Sequence, residues 1–178
     1  MDATILNYSV NDNVSEFLSK TKQHYINGKW VDSKSGKTFD VEDPATGKKI
    51  ATCAAGDKND IDLAVSAARK TFDSGKWTSM PNNERGKIIW KIGDLIDQHN
   101  EELAQLESLD NGKPVAVAGA ADVPLSSDIF RYMAGWATKI EGETIPYSCL
   151  YTPGAQYHSY TLREPVGVCG QIIPWNFP

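Results

Sequence analysis

The residues of this 178-residue sequence that could act as nucleophiles are its three cysteines, Cys53, Cys149 and Cys169. A thiol becomes reactive when a neighbouring positive charge lowers its pKa. Cys169 lies in the mostly apolar run 166–173, where a thiol normally behaves as a small inert hydrophobic group. The three cysteines also lack the closely spaced pair of a structural zinc site. The spacing therefore predicts reduced thiols and no metal site.

Two carboxylate pairs could do acid/base work, Glu101 with Glu102 and Asp94 with Asp97. Both pairs fall on the polar faces of predicted helices, which favours solvated surface over catalysis. The three histidines stand far apart in the sequence and have no evident partner. The patterns G-x-x-x-x-G-K-S/T, G-x-S-x-G and G-x-G-x-x-G are all missing from it. Spacing alone therefore identifies no catalytic centre.

The composition is that of a folded chain, with 40% hydrophobic, 23% charged and 10% aromatic residues. A net charge of -5 gives no general electrostatic reason to bind phosphate backbones, so we expect no nucleic-acid partner. No apolar run reaches the roughly 20 residues that a membrane-spanning helix needs. We therefore expect no membrane association and a cytoplasmic location.

Short strands and turns are expected after residue 22. Asn27-Gly28, flanked by Tyr25-Ile26 and Trp30-Val31, is the pair that most readily forms a tight hairpin turn. Further turn signals at Ser35-Gly36 and 44–47 separate the strand candidates 38–41 and 49–53. These signals predict a small antiparallel meander.

Four helices are predicted between residues 57 and 140. Asp57 is a plausible cap of the first, Pro81 can open the second, Asn111-Gly112 stops the third, and Asp122 caps the fourth. Their stripes are predicted to be core, namely Ile61, Val65, Ala68, Phe72; Ile88, Ile92, Leu95, Ile96, His99; Leu103, Leu106, Leu109; and Ile129, Met133, Trp136, Ile140. The first 22 residues form an arm in which Val14, Phe17 and Leu18 make a short helical face.

The last 36 residues return to a strand pattern. Residues 143–150 and 155–163 predict a hairpin with its turn at Pro153-Gly154. The run 166–173 suits a strand that is buried on both faces, as in a parallel sheet. Such a strand needs neighbours, so we expect 164–178 to begin an α/β domain that continues beyond this sequence.

Several long motifs in one order resemble the aldehyde dehydrogenase superfamily. The most specific is 164–178, EPVGVCGQIIPWNFP, and the others are YINGKW at 25–30, DPATG at 43–47 and LDNGKP at 109–114. The resemblance covers nearly everything from Tyr25 onward.

This resemblance implies an α/β fold: an N-terminal β-meander with helices, a protruding oligomerisation hairpin, and the first strand of an incomplete Rossmann-like nucleotide-binding domain. The implied segments are a variable arm at 1–22, the meander and helices at 23–142, the hairpin at 143–163, and the truncated first strand and turn at 164–178. Through that hairpin, family members form homodimers or homotetramers.

The resemblance also implies site residues. The family residue matching Asn176 donates its side-chain N–H to the aldehyde oxygen. Residues Ile172, Ile173, Pro174 and Trp175 match the wall that holds the cofactor, NAD or NADP. The chemistry requires such a donor, because attack on a carbonyl develops negative charge on its oxygen.

The family's nucleophilic cysteine and general-base glutamate lie beyond the residue matching Pro178. We therefore expect this chain alone to be inactive, and the complete enzyme to oxidise a small aldehyde to a carboxylic acid through a cysteine thioester. An alternative is a non-catalytic interaction protein that pairs with full-length subunits. Asp110 matches a position near a monovalent-cation site in some members. The aldehyde, and NAD against NADP, stay open.

Overall fold

The computed structural model describes residues 9–174 and 176. Its helices are α1 Asp12–Ser19, α2 Lys58–Asp73, α3 Asn82–Gln98, α4 Asn100–Asn111, α5 Val115–Val117 and α6 Val123–Trp136, with a π-helical turn at Ala118–Asp122. Its strands are β1 His24–Ile26, β2 Lys29–Val31, β3 Thr38–Asp43, β4 Lys48–Ala54, β5 Thr144–Ile145 and β6 Ser159–Tyr160. All strand pairs are antiparallel and two-stranded.

The predicted hairpin turn is confirmed, because Asn27 and Gly28 both adopt positive φ, 53° and 75°. The predicted antiparallel meander forms as two separate hairpins: β1 pairs with β2 and β3 with β4, and the chain just before β1 joins β4 through an isolated parallel bridge between Lys22 and Cys53. The connection between the two hairpins is held by helix α2. Its residue Asp60 accepts hydrogen bonds from the Ser33 hydroxyl at 3.0 Å and from the Lys34 backbone N–H at 2.9 Å. These hydrogen bonds fix the connection between β2 and β3 against α2.

Helix α2 begins where the sequence predicts. Asp57 caps it, accepting from the Asn59 N–H at 2.7 Å, while Asp60 accepts from the Asp57 N–H at 3.0 Å. This reciprocal arrangement is a capping box. The same buried Asp60 therefore caps the helix and fixes the preceding connection, which explains why its pKa is lowered, first by the Asp57 N–H and then by the Lys34 N–H.

Helices α3 and α6 make the most extensive helix pair. Gly93 lets their backbones approach, since a Cβ there would lie 2.9 Å from the Ser127 carbonyl oxygen. Arg131 of α6 reaches across to Asp94 at 3.1 Å and to Asp97 at 2.5 Å. Close backbone approach and a two-carboxylate clamp therefore fix this crossing.

Helix α4 stops at Gly112 in the left-handed conformation, φ 78°, as predicted. The fourth predicted helix is wrong at its start. Residues 115–136 are continuously helical through the π-helical turn, so Asp122 lies inside the helix and caps nothing. The extra residue of the π-helical turn leaves the Gly119 carbonyl open to the Asn100 amide, which donates to it at 3.1 Å.

The main core joins the N-terminal arm to the sheet and helices. Val14 and Leu18 of α1 pack with Ile50, Ala51 and Leu109. A smaller cluster contains Ala104, Ala118 and Val123. The predicted helical face of the arm is therefore confirmed at Val14 and Leu18, while Phe17 stays about half exposed.

Most of the predicted core stripes are exposed, which corrects that expectation. The exposed members are Ile61, Val65, Ile88, Ile92, Leu95, Leu103, Ile129, Met133, Trp136 and Ile140. An apolar stripe is buried only where another layer covers it. Within the described residues, another layer packs against only one side of these helices, so the stripes on the other side stay exposed.

The hairpin 143–163 is much less regular than predicted. Only Thr144 and Ile145 pair with Tyr160 and Ser159. Pro146 follows β5 directly, and because proline lacks a backbone N–H it cannot extend the ladder. The distal part is held by side chains, including an edge-to-face contact between Tyr147 and Tyr157 with ring centroids 5.2 Å apart.

The predicted buried strand at 166–173 is not formed. Residues 164–174 carry no regular secondary structure, and Gly167 turns to a φ of 106°. Val166 is 92% exposed and Ile172 100% exposed. A strand exists only through hydrogen bonds to neighbouring strands, and the described residues provide no neighbouring strand beside this segment.

No helix in the described ranges is long and apolar enough to cross a membrane.

Candidate functional site

The predicted site residues lie at the end of the described chain. Ile172, Ile173 and Pro174 are exposed, and Asn176 is exposed in a turn. Trp175 lies outside the described residues. No described hydrogen bond involves Asn176, so its predicted role as an oxyanion donor stays a prediction.

The three thiols are free. Burial raises the pKa of Cys53 on β4, which disfavours its thiolate. A hydrogen bond from the Tyr151 backbone N–H, followed by one from the Thr152 side chain, lowers the pKa of Cys149 in the hairpin. Cys169 is exposed, although the sequence predicted it inside a buried strand. Among the described residues no hydrogen bond joins a thiol to a histidine or carboxylate, so none of the three has the activating base that nucleophilic catalysis needs.

Three of the four carboxylates, Asp94, Asp97 and Glu102, make contacts between helices. Asp94 and Asp97 bind Arg131, and the pKa of Asp97 is lowered first by the Ser127 hydroxyl and then by Arg131. Glu102 faces Asn13 of α1 and lies 3.3 Å from the His99 ring, which together lower its pKa. Asp94 and Asp97 therefore tie α3 to α6, and Glu102 ties α4 to α1. Asp97 and Glu101 are nevertheless exposed, as the sequence predicts.

A cavity of about 480 Å³ opens between α1, the β3–β4 hairpin and α4. Its wall is mainly apolar, with Lys22, Glu107 and Asp110 as its charged residues. The part of the chain that the structure describes contains no group of three or more His, Cys, Asp or Glu that could hold a metal ion. Asp110 therefore lines this cavity, and its place near a monovalent-cation site stays a prediction.

An ion-pair cluster that sequence reasoning missed holds the entry to α6. Lys113 binds Glu107 at 3.0 Å and also binds Asp122, and all three side chains are mostly buried. The Asp122 carboxylate, then Glu107, raises the pKa of Lys113, while Lys113 holds the pKa of Asp122 below its usual range. The sequence signal for this cluster was that Lys113 lies in the motif that stops α4, with the acidic residues Glu107 before it and Asp122 after it. This cluster ties the end of α4 to the π-helical turn that precedes α6.

We expect Lys113→Met to lower the urea midpoint of unfolding at pH 7, because Glu107 and Asp122 would face each other without their cation. The loss of Lys113 should lower the stability most while the carboxylates of Glu107 and Asp122 are ionised. The stabilisation is present at neutral pH and is lost as the pH falls through the lowered pKa of Asp122, below about pH 4. The difference in urea midpoint between wild type and Lys113→Met should therefore become smaller below that pH.

A matched control is Lys20→Met, which removes a lysine from an exposed pair with Glu16 at 2.6 Å. Exposed pairs contribute little, so its midpoint should stay near that of wild type. Equal losses in the two variants would contradict a special role for the Lys113 cluster.

The described fold is mixed α/β, with small antiparallel sheets and a helical layer, and matches the N-terminal part of a nucleotide-dependent dehydrogenase. The NAD+ complex structure of aldehyde dehydrogenase from Bacillus cereus matches with a TM-score of 0.90 and 48% identity, covering 97% of this chain and 34% of that chain. The sequence model described as the aldehyde dehydrogenase family matches residues 30–178. The chain belongs to the aldehyde dehydrogenase family.

Sequence relatives agree with this assignment. The Bacillus subtilis protein DhaS is 50% identical over 173 residues, which is 97% of this chain and 34% of DhaS. Mitochondrial aldehyde dehydrogenase of Homo sapiens is 46% identical over 157 residues, 88% of this chain and 29% of the human protein. This chain therefore spans about a third of the length of the relatives it matches.

Proposed function

We propose that this chain is the N-terminal part of an NAD(P)-dependent aldehyde dehydrogenase, which oxidises an aldehyde to a carboxylic acid. The observation that carries the proposal is the match of nearly the whole chain, at 48% identity and a TM-score of 0.90, to an aldehyde dehydrogenase solved with NAD+. In the complete enzyme, residues 164–178 would open the nucleotide-binding sheet. A cytoplasmic location stays a prediction.

The role proposed for this chain in the chemistry is to supply one hydrogen-bond donor. When a downstream thiolate adds to the aldehyde carbon, the carbonyl π electrons move to oxygen, and the Asn176 amide N–H stabilises that charge. Residues 169–174 and Asn176 are exposed, so the Asn176 side chain is available to a reacting group from elsewhere.

The residues present fit one part of a dinucleotide site. Ile172, Ile173 and Pro174 expose consecutive apolar side chains, which suits a wall against a nicotinamide ribose. When bound, NAD(P)+ would supply the hydride acceptor. The sequence has no glycine-rich phosphate loop, so the phosphate contacts of such a site would come from other residues.

For the partners we propose a small-molecule aldehyde and a second subunit bound at the hairpin. The ladder of β5 and β6 is only two pairs long, and Tyr147 and Tyr157 beside it are exposed. A short, open ladder with aromatic side chains is suited to pairing with another strand. The finer choice between dimer and tetramer stays open.

The test is to join residues 1–178 in frame to the DhaS sequence that follows the matched region. We expect this chimaera to reduce NAD+ or NADP+ in the presence of a small aldehyde, and the 178-residue chain alone to give no turnover. A folded chimaera that binds nucleotide but oxidises no aldehyde would contradict the proposal. So would turnover by the purified chain alone after removal of contaminating full-length enzyme.

A further inference from the structure

A groove of about 440 Å³ lies between α3 and the C-terminal end of α6. Its aromatic wall is Trp90 of α3, a residue that is 49% exposed. Three small residues, Gly86, Ala134 and Gly135, line the groove where the helices approach, and a Cβ on Gly86 would lie 3.1 Å from the Ala134 carbonyl oxygen. The groove therefore combines an accessible aromatic ring with a floor that lacks bulky side chains, which suits a planar ligand ring.

Lysines surround the same groove. Lys87, Lys91 and Lys139 line it, and all three are exposed. Within the part of the chain that the structure describes, Lys91 has no hydrogen bond or ion pair. Lys139 donates to the Gly135 carbonyl oxygen at 2.7 Å, and Lys87 makes an exposed pair with Glu84 at 2.9 Å. Exposed pairs of this kind contribute little, so all three ammonium groups are available to an anion.

This lysine–tryptophan groove, formed by Trp90 and the three lysines, is positively charged on a chain whose net charge is -5. Among its lining residues the one carboxylate is that of Asp94. Asp94 is bound by Arg131 at 3.1 Å, so its charge is already paired. The local excess of positive charge therefore attracts anions, although the chain as a whole does not.

The two helices that form the lysine–tryptophan groove are fixed to each other. Arg131 of α6 binds Asp94 and Asp97 of α3, and its guanidinium lies 5.8 Å from the centre of the Trp90 ring. Gly93 lets the two backbones approach beside this clamp. The ring and the lysines are therefore held on a preformed surface, where a small ligand loses little affinity to the ordering of the protein.

We propose that the lysine–tryptophan groove binds a nucleoside phosphate, with the base stacked on Trp90 and the phosphate groups held by the lysines. Bases stack on exposed aromatic side chains, and the lysine ammonium is a point charge that binds phosphate. An acidic peptide would satisfy the lysines but leave Trp90 without a planar partner. The proposed cofactor wall, Ile172, Ile173 and Pro174, does not line this groove, so the inference does not depend on the proposed function.

The test is calorimetric titration of ADP into the 178-residue chain, with adenosine and inorganic pyrophosphate as partial ligands. We expect ADP to saturate one site and to bind about tenfold more tightly than either partial ligand, because stacking and charge both contribute. Raised ionic strength should weaken ADP binding, since the lysines are exposed to screening. Pyrophosphate that binds as tightly as ADP, or ADP binding that does not saturate, would overturn the inference.

Two variants test the groove itself. Trp90→Ala should weaken ADP binding about tenfold through the loss of stacking. Lys91→Glu should weaken it by a similar factor, because a carboxylate would face the phosphate. Both residues are exposed, so the circular dichroism spectrum should be unchanged. The matched controls are Trp136→Ala, at a residue of α6 that is 45% exposed and outside the groove, and Lys70→Glu on the exposed surface of α2, and both should bind ADP like wild type.

Four further outcomes decide between sites and ligands. Equal losses in the control variants would overturn the inference, because binding would then not be specific to the groove. Loss of ADP binding in Ile172→Lys, with normal binding in Trp90→Ala, would place the nucleotide at the cofactor wall and also overturn it. Poly-glutamate that displaces ADP at equal affinity would reassign the groove to acidic peptides. Single-stranded oligoadenylate that binds more tightly than ADP, and is lost in Trp90→Ala, would support the groove and identify nucleic acid as the source of the nucleotide.

The activity of the chimaera with DhaS tests the proposed function separately. An inactive chimaera would overturn that function and leave nucleoside phosphate binding at the groove standing.

Discussion

Asn176→Ala should lower the rate of acyl-enzyme formation by about 10² to 10³ in the complete enzyme. If the amide N–H meets the oxygen on which charge develops, its loss removes an interaction made in the transition state. Nucleotide affinity should stay nearly unchanged, because the amide is not part of the proposed cofactor wall. Asn176→Asp should be at least as damaging, since a carboxylate would repel both the thiolate and the developing oxyanion.

Pre-steady-state acylation at saturating nucleotide measures this effect directly. A matched control is Asn83→Ala, which removes an exposed amide from the first turn of α3 and should leave the rate unchanged. Wild-type acylation in Asn176→Ala would show that Asn176 is only a turn residue. Trp175→Ala should give the opposite signature, weaker nucleotide binding with a smaller effect on acylation.

Leu109→Ala should lower the free energy of unfolding of the 178-residue chain by about 2 to 5 kcal/mol. Leu109 is fully buried and packs with Val14, Leu18, Ile50 and Ala51, which come from α1 and β4. The truncation would leave a cavity where three elements meet, and those elements cannot close it without moving apart from their other contacts.

Urea denaturation at low protein concentration, followed by circular dichroism, would measure the loss. Leu125→Ala is the matched control, because the same side chain is removed from a residue that is 64% exposed. It should change the free energy of unfolding by less than about 1 kcal/mol, since leucine and alanine have similar helix propensities. Similar losses for the two variants would mean that the core is not centred on Leu109.

Local chemistry accounts for the parts of the fold that the sequence predicts well. Asn27-Gly28 forms its turn because both residues tolerate positive φ. Asp57 begins α2 and Gly112 ends α4 because caps satisfy backbone groups within a few residues. Such signals need no distant partner, so they can be read directly from neighbouring residues.

The errors lie where a distant contact decides the outcome. Asp122 is of a residue type that often caps helices. In the structure it lies inside a continuous helix, where Lys113 of the preceding loop binds it. The connection between β2 and β3 is held by Asp60, far along the chain, through Ser33 and Lys34. Acidic residues flank Lys113 in the sequence, but which of them it binds is decided only when the elements pack, and the same holds for Asp60 with Ser33 and Lys34.

The sequence by itself determined the family and most helix boundaries, since these depend on motifs and short-range hydrogen bonds. Only the tertiary structure decided which apolar faces are buried, because burial depends on whether another layer is present. The run 166–173 shows the difference most clearly: its residues have the composition of a buried strand, yet Ile172 is fully exposed. A strand requires hydrogen bonds from a neighbouring strand, which an extended run of residues cannot supply for itself.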